Sequence, residues 1–147
     1  MRGYLIDTNV ISEWAKPRPS ARVVDFITGS RKLQLFACSV CFAEIRKGAQ
    51  FVKTGDMRER LLSWLEYDLR VFFDGRVLEV TEDVVLAALD LIEPLARKRQ
   101  SVHFADSLIA AVAHVHQFTV VTRNAKDFMA LNVPVLNPWT GERFNGA

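Results

Sequence analysis

Short apolar runs alternate with longer amphipathic segments along most of this chain. This alternation is typical of a parallel β-sheet covered by helices. The expected fold class is therefore α/β, a three-layer sandwich with a central, mostly parallel sheet of four to five strands flanked by helices. The runs predict strands near residues 3–6, 33–37, 118–121 and 133–135, with a weaker strand near 76–80.

Polar residues and prolines predict where the helices begin and end. Thr8 is expected to cap a first helix over residues 9–16, and Ser39 to cap a helix through Phe51. The tail after Pro134 is expected to be irregular, with Trp139 folded back on the body. The other expected helices are one after Ser20, one from Asp56 to Phe72, one from Thr81 to Arg99 that Pro94 kinks or shortens, and one after Ser101.

The length of 147 residues suits one domain, so residues 1–147 are expected to form a single unit. No apolar run approaches the roughly 18 residues of a membrane span, and Asp7 interrupts the first apolar run, which argues against a signal peptide. We therefore expect a cytoplasmic protein without a membrane partner.

Three carboxylates lie inside otherwise apolar stretches: Asp7, Glu44 and Asp106. A buried carboxylate without a partner costs several kcal/mol and tends to protonate. The three positions therefore predict one converging acidic site, with Asn124 and Asp127 further along the chain. Oxygen ligands of this kind suit hard divalent cations such as Mg²⁺.

Local position supports this interpretation but leaves alternatives. Asp7 ends an apolar run, so it is expected at the carboxyl edge of a parallel sheet, where such folds bind ligands. It can also serve as a helix cap, as can Asp127. Glu44 has apolar neighbours on its helix face, although a surface pair with Lys47 is the alternative. Helix-dipole complementarity explains part of the preference for Asp106.

Basic residues accompany each acidic segment, although the net charge is only +2. A rim of cations suits a phosphodiester that approaches a metal site, and an ordinary solvated surface is the alternative. The clusters are Lys16, Arg18 and Arg22; Arg46 and Lys47; Arg97, Lys98 and Arg99; and Arg123 and Lys126.

Cysteines and histidines offer weaker signals. Cys38 and Cys41 form a C-x-x-C pattern in an apolar stretch, where core packing is favoured over redox chemistry and no second pair completes a zinc site. His103, His114 and His116 lack a nucleophile partner, and the last two are expected near a helix end.

Taken in order, these motifs closely resemble those of PIN-domain ribonucleases, specifically the VapC/FitB-type toxins of type II toxin–antitoxin pairs. The resemblance runs nearly to Asn137-Pro138, and the ordered set is far more specific than any one motif. The matching segments are Asp7-Thr8-Asn9 with Val10-Ile11-Ser12-Glu13, the Lys16-Pro17-Arg18-Pro19 turn, Ala43-Glu44-Ile45-Arg46-Lys47-Gly48, Asp106-Ser107-Leu108-Ile109-Ala110-Ala111, and Thr122-Arg123-Asn124 through Asp127-Phe128.

The resemblance implies a metal-dependent endoribonuclease that acts as a toxin. Asp7, Glu44 and Asp106, with Asn124 or Asp127, would hold one or two Mg²⁺ or Mn²⁺ ions that position a water for in-line attack on an RNA phosphodiester. Thr8 would help to hold the scissile phosphate or the water. The implied partners are a cognate antitoxin whose C-terminal segment covers the site, and a second copy of the chain in a homodimer.

One departure from the family concerns Asn124, because many relatives carry an aspartate there. An amide oxygen can ligate Mg²⁺ but supplies no negative charge, so Asp127 is a candidate replacement. Alternatives are an RNA-processing nuclease without an antitoxin and a catalytically silent adaptor that binds protein or RNA. A phosphoacceptor signalling domain also uses an acidic Mg²⁺ pocket, but this chain lacks its paired acids and later lysine.

Overall fold

The computed structural model describes residues 2–52 and 55–146. The strands are β1 (Tyr4–Ile6), β2 (Leu35–Cys38), β3 (Val77–Leu78), β4 (Thr119–Val121), β5 (Val135–Leu136) and β6 (Arg143–Phe144). The α-helices are α1 (Thr8–Trp14), α2 (Ala21–Gly29), α3 (Ser39–Gln50), α4 (Gly55–Ser63), α5 (Arg70–Phe72), α6 (Glu82–Arg97), α7 (Phe104–His116) and α8 (Ala125–Ala130). A 3₁₀ turn at Lys32–Gln34 precedes β2, and a π-helix at Trp64–Leu69 joins α4 to α5.

The six strands form one sheet in the order β3-β2-β1-β4-β5-β6. Every neighbouring pair is parallel except β5 and β6, which are antiparallel. Leu5 of β1 is in register with Phe36 of β2 and Val120 of β4, so β1 occupies the middle of the sheet. The expected α/β class and mostly parallel sheet are confirmed.

The sheet has one strand more than the expected four to five, and the tail is not irregular as predicted. The chain turns at Gly141, which adopts the left-handed φ of 80°, and returns to pair Phe144 with Val135. A strand of two residues carries too little alternation to be recognised from sequence. Trp139 does fold back on the core, half-buried, with the Arg123 guanidinium 5.0 Å from its ring centroid.

The core is built around the sheet and α7. Residues 109–113 of α7 are all fully buried, in keeping with an apolar helix that lies in the interior. Cys38 and Cys41 are fully buried free cysteines with their Sγ atoms 3.5 Å apart, so the prediction of core packing is confirmed. No helix within residues 2–52 and 55–146 has both the length and the apolar character needed to cross a membrane.

Several helix boundaries differ from the predictions at their caps. Asp7, rather than Thr8, caps α1, because its carboxylate accepts the Thr8 N–H at 2.8 Å. Cys38 rather than Ser39 precedes α3, and its side chain forms no cap. The Thr81 hydroxyl caps α6 as predicted.

At its far end α6 continues past Pro94 to Arg97, two residues short of the predicted end. It stops there because Arg99 adopts a left-handed φ of 55°. The predicted helix from Asp56 to Phe72 is present from Gly55, but its middle is π-helical. His114 and His116 lie in the last turn of α7, as expected.

Arg76 connects the start of β2 with the end of α5 through hydrogen bonds. Its side chain is buried, and the guanidinium donates to the carbonyls of Lys32, Leu35 and Phe72. The same group lies 5.4 Å from the Phe72 ring centroid. Arg76 therefore ties the start of β2 to the end of α5.

Candidate functional site

Asp7 lies at the carboxyl end of the central strand, with its side chain only 3% exposed. Its backbone N–H donates to the carbonyl of Val121 at 2.9 Å, which extends the β1–β4 pairing by one residue. The carboxylate accepts three hydrogen bonds: from Thr8 N–H at 2.8 Å, from the Thr122 hydroxyl at 2.7 Å and from the Asn9 amide at 3.2 Å. This burial and bonding fix the carboxylate at the sheet edge.

The folded protein nevertheless disfavours the ionised form of Asp7. Burial raises the pKa of Asp7 to about 6, and the negative charges of Asp106 and Glu44 add to the rise. Hydrogen bonds from Thr122 and Thr8 act in the opposite direction but do not cancel it. A carboxylate in this condition gains stability from any cation that approaches it.

Glu44 faces the same edge from α3. Its Oε1 accepts the Thr8 hydroxyl at 2.6 Å, so Thr8 contacts Asp7 through its backbone and Glu44 through its side chain. Glu44 is half-buried, consistent with the predicted inward face of its helix. Thr8 thus couples α1 to α3 at the site.

Asp106 and Asp127 form the other side of the cluster. Asp106 is half-buried in the first turn of α7, and Asp127 is exposed in the first turn of α8. Burial raises the pKa of Asp106, with further increases from the charges of Glu44 and Asp127, while His103 lowers it. Asp106 and Asp127 also line one common cavity.

Asn124 is attached to the site through its backbone. Its N–H donates to the Thr122 hydroxyl at 3.0 Å, and its side chain is exposed. A cavity of about 380 Å³ has both Asn124 and Asp127 in its wall. Asn124 therefore lies near the acidic cluster, but its amide oxygen is not engaged with Asp7.

The chemistry of the donor set fits a hard divalent cation, because every candidate ligand is an oxygen. Burial is the main cause of the raised pKa of Asp7 and of Asp106, and the negative charges of neighbouring carboxylates add to it; a cation would relieve this repulsion. Among the residues that the structure describes, however, no three histidine, cysteine, aspartate or glutamate side chains stand close enough together to enclose a metal ion. A complete ligand shell is therefore not preformed by these side chains.

Thr122 proves more central than the sequence indicated. Its fully buried hydroxyl donates to Asp7 and accepts from Asn9 and from the Asn124 N–H. From the sequence, Thr122 was named only as the first residue of the last segment that resembles the family. The sequence signal for Thr122 is its position directly after an apolar run, as for Asp7. The structure adds that the two runs form neighbouring strands, β1 and β4, so both residues lie at the same edge of the sheet.

Two further residues near the site, Glu13 and His103, were not predicted from the sequence to have a role there. Glu13 is buried and accepts the Ser20 N–H at 3.0 Å and Lys16 Nζ at 2.9 Å, which holds the turn between α1 and α2 and lowers the pKa of Glu13. His103 precedes α7 and lines the cavity that contains Asp106. In the sequence, His103 lacks a nucleophile partner and carries no other signal of a role.

The basic clusters are exposed, as expected, but several of their members are paired. Salt bridges join Lys16 to Glu13, Arg46 to Glu66 and Arg97 to Glu93. The two exposed pairs, Arg46–Glu66 and Arg97–Glu93, contribute little to stability. Part of the positive rim is therefore balanced locally by acidic neighbours.

Replacing Thr122 with valine is expected to destabilise the protein by about 1–3 kcal/mol, because the shape is retained while a buried hydrogen bond to Asp7 is lost. Thermal unfolding at pH 7.5 measures the effect. Thr122→Ser keeps the hydroxyl and serves as the control. Equal melting temperatures for the two variants would show that the hydroxyl does not support Asp7.

Comparison with known proteins identifies the family of this chain. The PIN domain family model matches residues 4–132. The chain is 33% identical over 135 residues to Toxin FitB of Neisseria gonorrhoeae, covering 92% of this chain and 97% of FitB. It is 32% identical over 135 residues to the VapC ribonuclease Y4jK of Sinorhizobium fredii, covering 92% of this chain and 96% of that protein.

The same relationship is visible in three dimensions. The crystal structure of FitAcB from Neisseria gonorrhoeae superposes with a TM-score of 0.87 and 33% identity, covering 93% of this chain and 99% of that chain. The family model, both relatives and the superposition cover nearly the whole fold. The chain therefore belongs to the PIN domain family.

Proposed function

We propose that this protein is a divalent-metal-dependent endoribonuclease and the toxin of a toxin–antitoxin pair. The observation that carries the proposal is the convergence of Asp7, Glu44 and Asp106 at one edge of the sheet, where the charges of Glu44 and Asp106 act on Asp7 and the charge of Glu44 also acts on Asp106. The similarity to a VapC ribonuclease and to Toxin FitB supports the same activity and role.

In the proposed site, Asp7, Glu44 and Asp106 are the metal ligands. Bound Mg²⁺ or Mn²⁺ would lower the pKa of a water and neutralise charge on the scissile phosphate. For the fourth position Asp127 is favoured over Asn124, because its charge already acts on Asp106. Asn124 keeps a supporting role through its backbone hydrogen bond to Thr122.

The remaining polar residues position the carboxylates. Thr122 and Asn9 hold Oδ2 of Asp7, which leaves that side chain a single orientation. Thr8 holds Glu44 through its hydroxyl. We assign to Thr8 the further role of helping to hold the scissile phosphate or the water. Such orienting contacts typically affect metal affinity or activity by about 10- to 100-fold.

The proposed partners are an antitoxin that covers the acidic site and a second copy of the chain. Exposed apolar side chains are available for these interfaces, notably Leu86 and Leu89 on α6 and Phe51 after α3. Trp14, Trp64 and Phe72 are instead partly buried against the core. Gel filtration across micromolar concentrations tests the homodimer, and a monomer throughout would exclude it.

The activity is tested by incubating purified, partner-free protein with a mixed single-stranded RNA pool and Mg²⁺ or Mn²⁺. Cleavage that EDTA abolishes is expected. A folded protein that binds metal but leaves every RNA intact would instead favour the catalytically silent adaptor. Cleavage without a neighbouring antitoxin gene would favour an RNA-processing nuclease.

Metal is also expected to stabilise the fold, because it relieves repulsion among the carboxylates. At a hundred times the dissociation constant, binding adds about 2.7 kcal/mol to the free energy of unfolding, or roughly 5–10 °C in Tm. Thermal melts with Mn²⁺ against EDTA measure the shift, with Ca²⁺ and salt controls at matched ionic strength. An unchanged Tm in saturating millimolar Mn²⁺ would contradict a metal site.

A further inference from the structure

A cavity of about 290 Å³ lies between the end of α6 and the start of α7 and opens beside the acidic cluster. Asp106 and Asp127 form part of its wall, so it is continuous with the proposed catalytic site. Its size is near the lower limit of ligand pockets, about 300 Å³. The other residues that matter here are Leu95, Gln100, Ser101, Val102, His103 and Ala130.

The cavity is lined by apolar side chains, polar side chains and one aromatic ring. Leu95 and Val102 offer apolar walls, while Gln100 and Ser101 carry donors and acceptors. His103 adds an exposed aromatic ring next to Asp106. An unpaired nucleobase needs this combination, because its faces stack on aromatic or apolar groups and its edges form hydrogen bonds.

The segment that carries these residues is held by the backbone. Arg99 adopts a left-handed φ of 55°, and the Gln100 N–H donates to the Leu95 carbonyl at 2.9 Å. This closes the end of α6 and presents Gln100 toward the cavity. The polar part of the lining is therefore supported by a hydrogen-bonded turn.

The surroundings suit a single-stranded polyanion. Lys98 and Arg99 are exposed on the connection between the two helices. Phe104, directly after His103, is 62% exposed, which is unusual for an aromatic residue at the start of a packed helix. Exposed aromatic groups beside basic side chains are the usual means of holding single-stranded nucleic acid.

We propose that this cavity is a nucleobase subsite, which holds one unpaired RNA base next to the phosphate at the carboxylates, with His103 as the residue that contacts the base. The inference rests on the proposed ribonuclease function and adds to it a source of base preference. A polymer whose phosphate lies at Asp106 must place a neighbouring nucleotide against the shared wall of the cavity.

The test compares His103→Ala with His114→Ala. Both histidines are exposed, but His114 lies in the last turn of α7, about 15 Å along the helix axis. The His103 side chain forms no cap hydrogen bond to α7, so its removal is not expected to unfold the helix. His103→Phe keeps a flat ring and separates stacking from hydrogen bonding.

Binding is measured without cleavage, by fluorescence anisotropy of labelled 12-nucleotide RNAs of A, C or U in EDTA. Wild-type protein is expected to prefer one base, and His103→Ala to lose about tenfold in affinity for that RNA and to bind all three alike. His114→Ala is expected to match wild type. In a second assay, the bases flanking the cut are mapped in a mixed RNA pool with Mn²⁺.

Failure of the subsite and failure of the proposed activity have different signatures. Equal binding and equal cut-site preference for wild type and His103→Ala would overturn the subsite, even if metal-dependent cleavage is present. Absent cleavage with a His103-dependent base preference in EDTA would overturn the nuclease and keep the subsite. If His103→Ala binds RNA as wild type does but binds an antitoxin more weakly, the cavity belongs to the protein partner and the subsite is overturned. The subsite is also overturned if the folded wild-type protein binds no RNA.

Discussion

Asp7→Asn is expected to reduce metal-dependent RNA cleavage by about 10²–10³-fold or more while making the metal-free protein more stable at neutral pH. Activity falls because the substitution removes the charge of the most buried ligand, and a single preorganised electrostatic group is commonly worth a factor of this size. Stability rises because the variant no longer buries an anion at a position that is only 3% exposed. Cleavage assays and thermal melts in EDTA measure the two effects.

The raised pKa of Asp7 determines how the free energy of unfolding of the metal-free protein changes with pH. The pKa of Asp7 is raised from 3.8 to about 6, so between these values the folded protein binds the proton more tightly than the unfolded chain does. The free energy of unfolding of the metal-free wild type should therefore fall by up to about 3 kcal/mol as the pH rises from about 4 to about 6. The raised pKa of Asp106 acts in the same direction.

Asp7→Asn should remove most of this decline, since asparagine does not titrate. Asp25→Asn, at an exposed position on α2, is the matched control and should leave the wild-type decline in place. Urea unfolding in EDTA at several pH values provides the curves. Parallel curves for wild type and Asp7→Asn would show that Asp7 is not the group whose burial limits stability.

Arg76→Leu is expected to cause the largest loss of stability of any substitution considered, about 3–5 kcal/mol. The guanidinium is the hydrogen-bond donor to three carbonyls, those of Lys32, Leu35 and Phe72, and leucine supplies none of these bonds. Its contacts with the rings of Phe72 and Phe73 are lost as well. The expected result is a much lower urea midpoint.

Arg97→Leu is the control, because Arg97 lies on the surface with its side chain 77% exposed and pairs only with Glu93. It is expected to leave the urea midpoint nearly unchanged, as exposed ion pairs contribute little. Arg76→Lys should fall between the two, since an ammonium cannot reach all three carbonyls in the fork geometry of arginine. A midpoint for Arg76→Leu that equals the Arg97→Leu value would contradict the role assigned to Arg76.

The sequence left open whether Asn124 or Asp127 fills the fourth position of the acidic site. The family resemblance places Asn124 where many relatives carry an aspartate, and it leaves Asp127 as a candidate replacement. In the fold, Asp127 acts on Asp106 and shares its cavity, whereas Asn124 contacts Thr122 through its backbone. One helical turn separates the two residues, and sequence spacing does not say which of them faces α7.

The sequence by itself predicted the α/β class and a mostly parallel sheet, and it singled out the three carboxylates of the proposed site. Apolar runs have the period of buried strands, and a carboxylate inside such a run is costly enough to be conspicuous. The antiparallel strand β6, the hydrogen bonds around Thr122, the Arg76 contacts and the cavity beside His103 were decided only by the tertiary structure. These features join residues far apart in the chain, and neither periodicity nor local propensity describes such contacts.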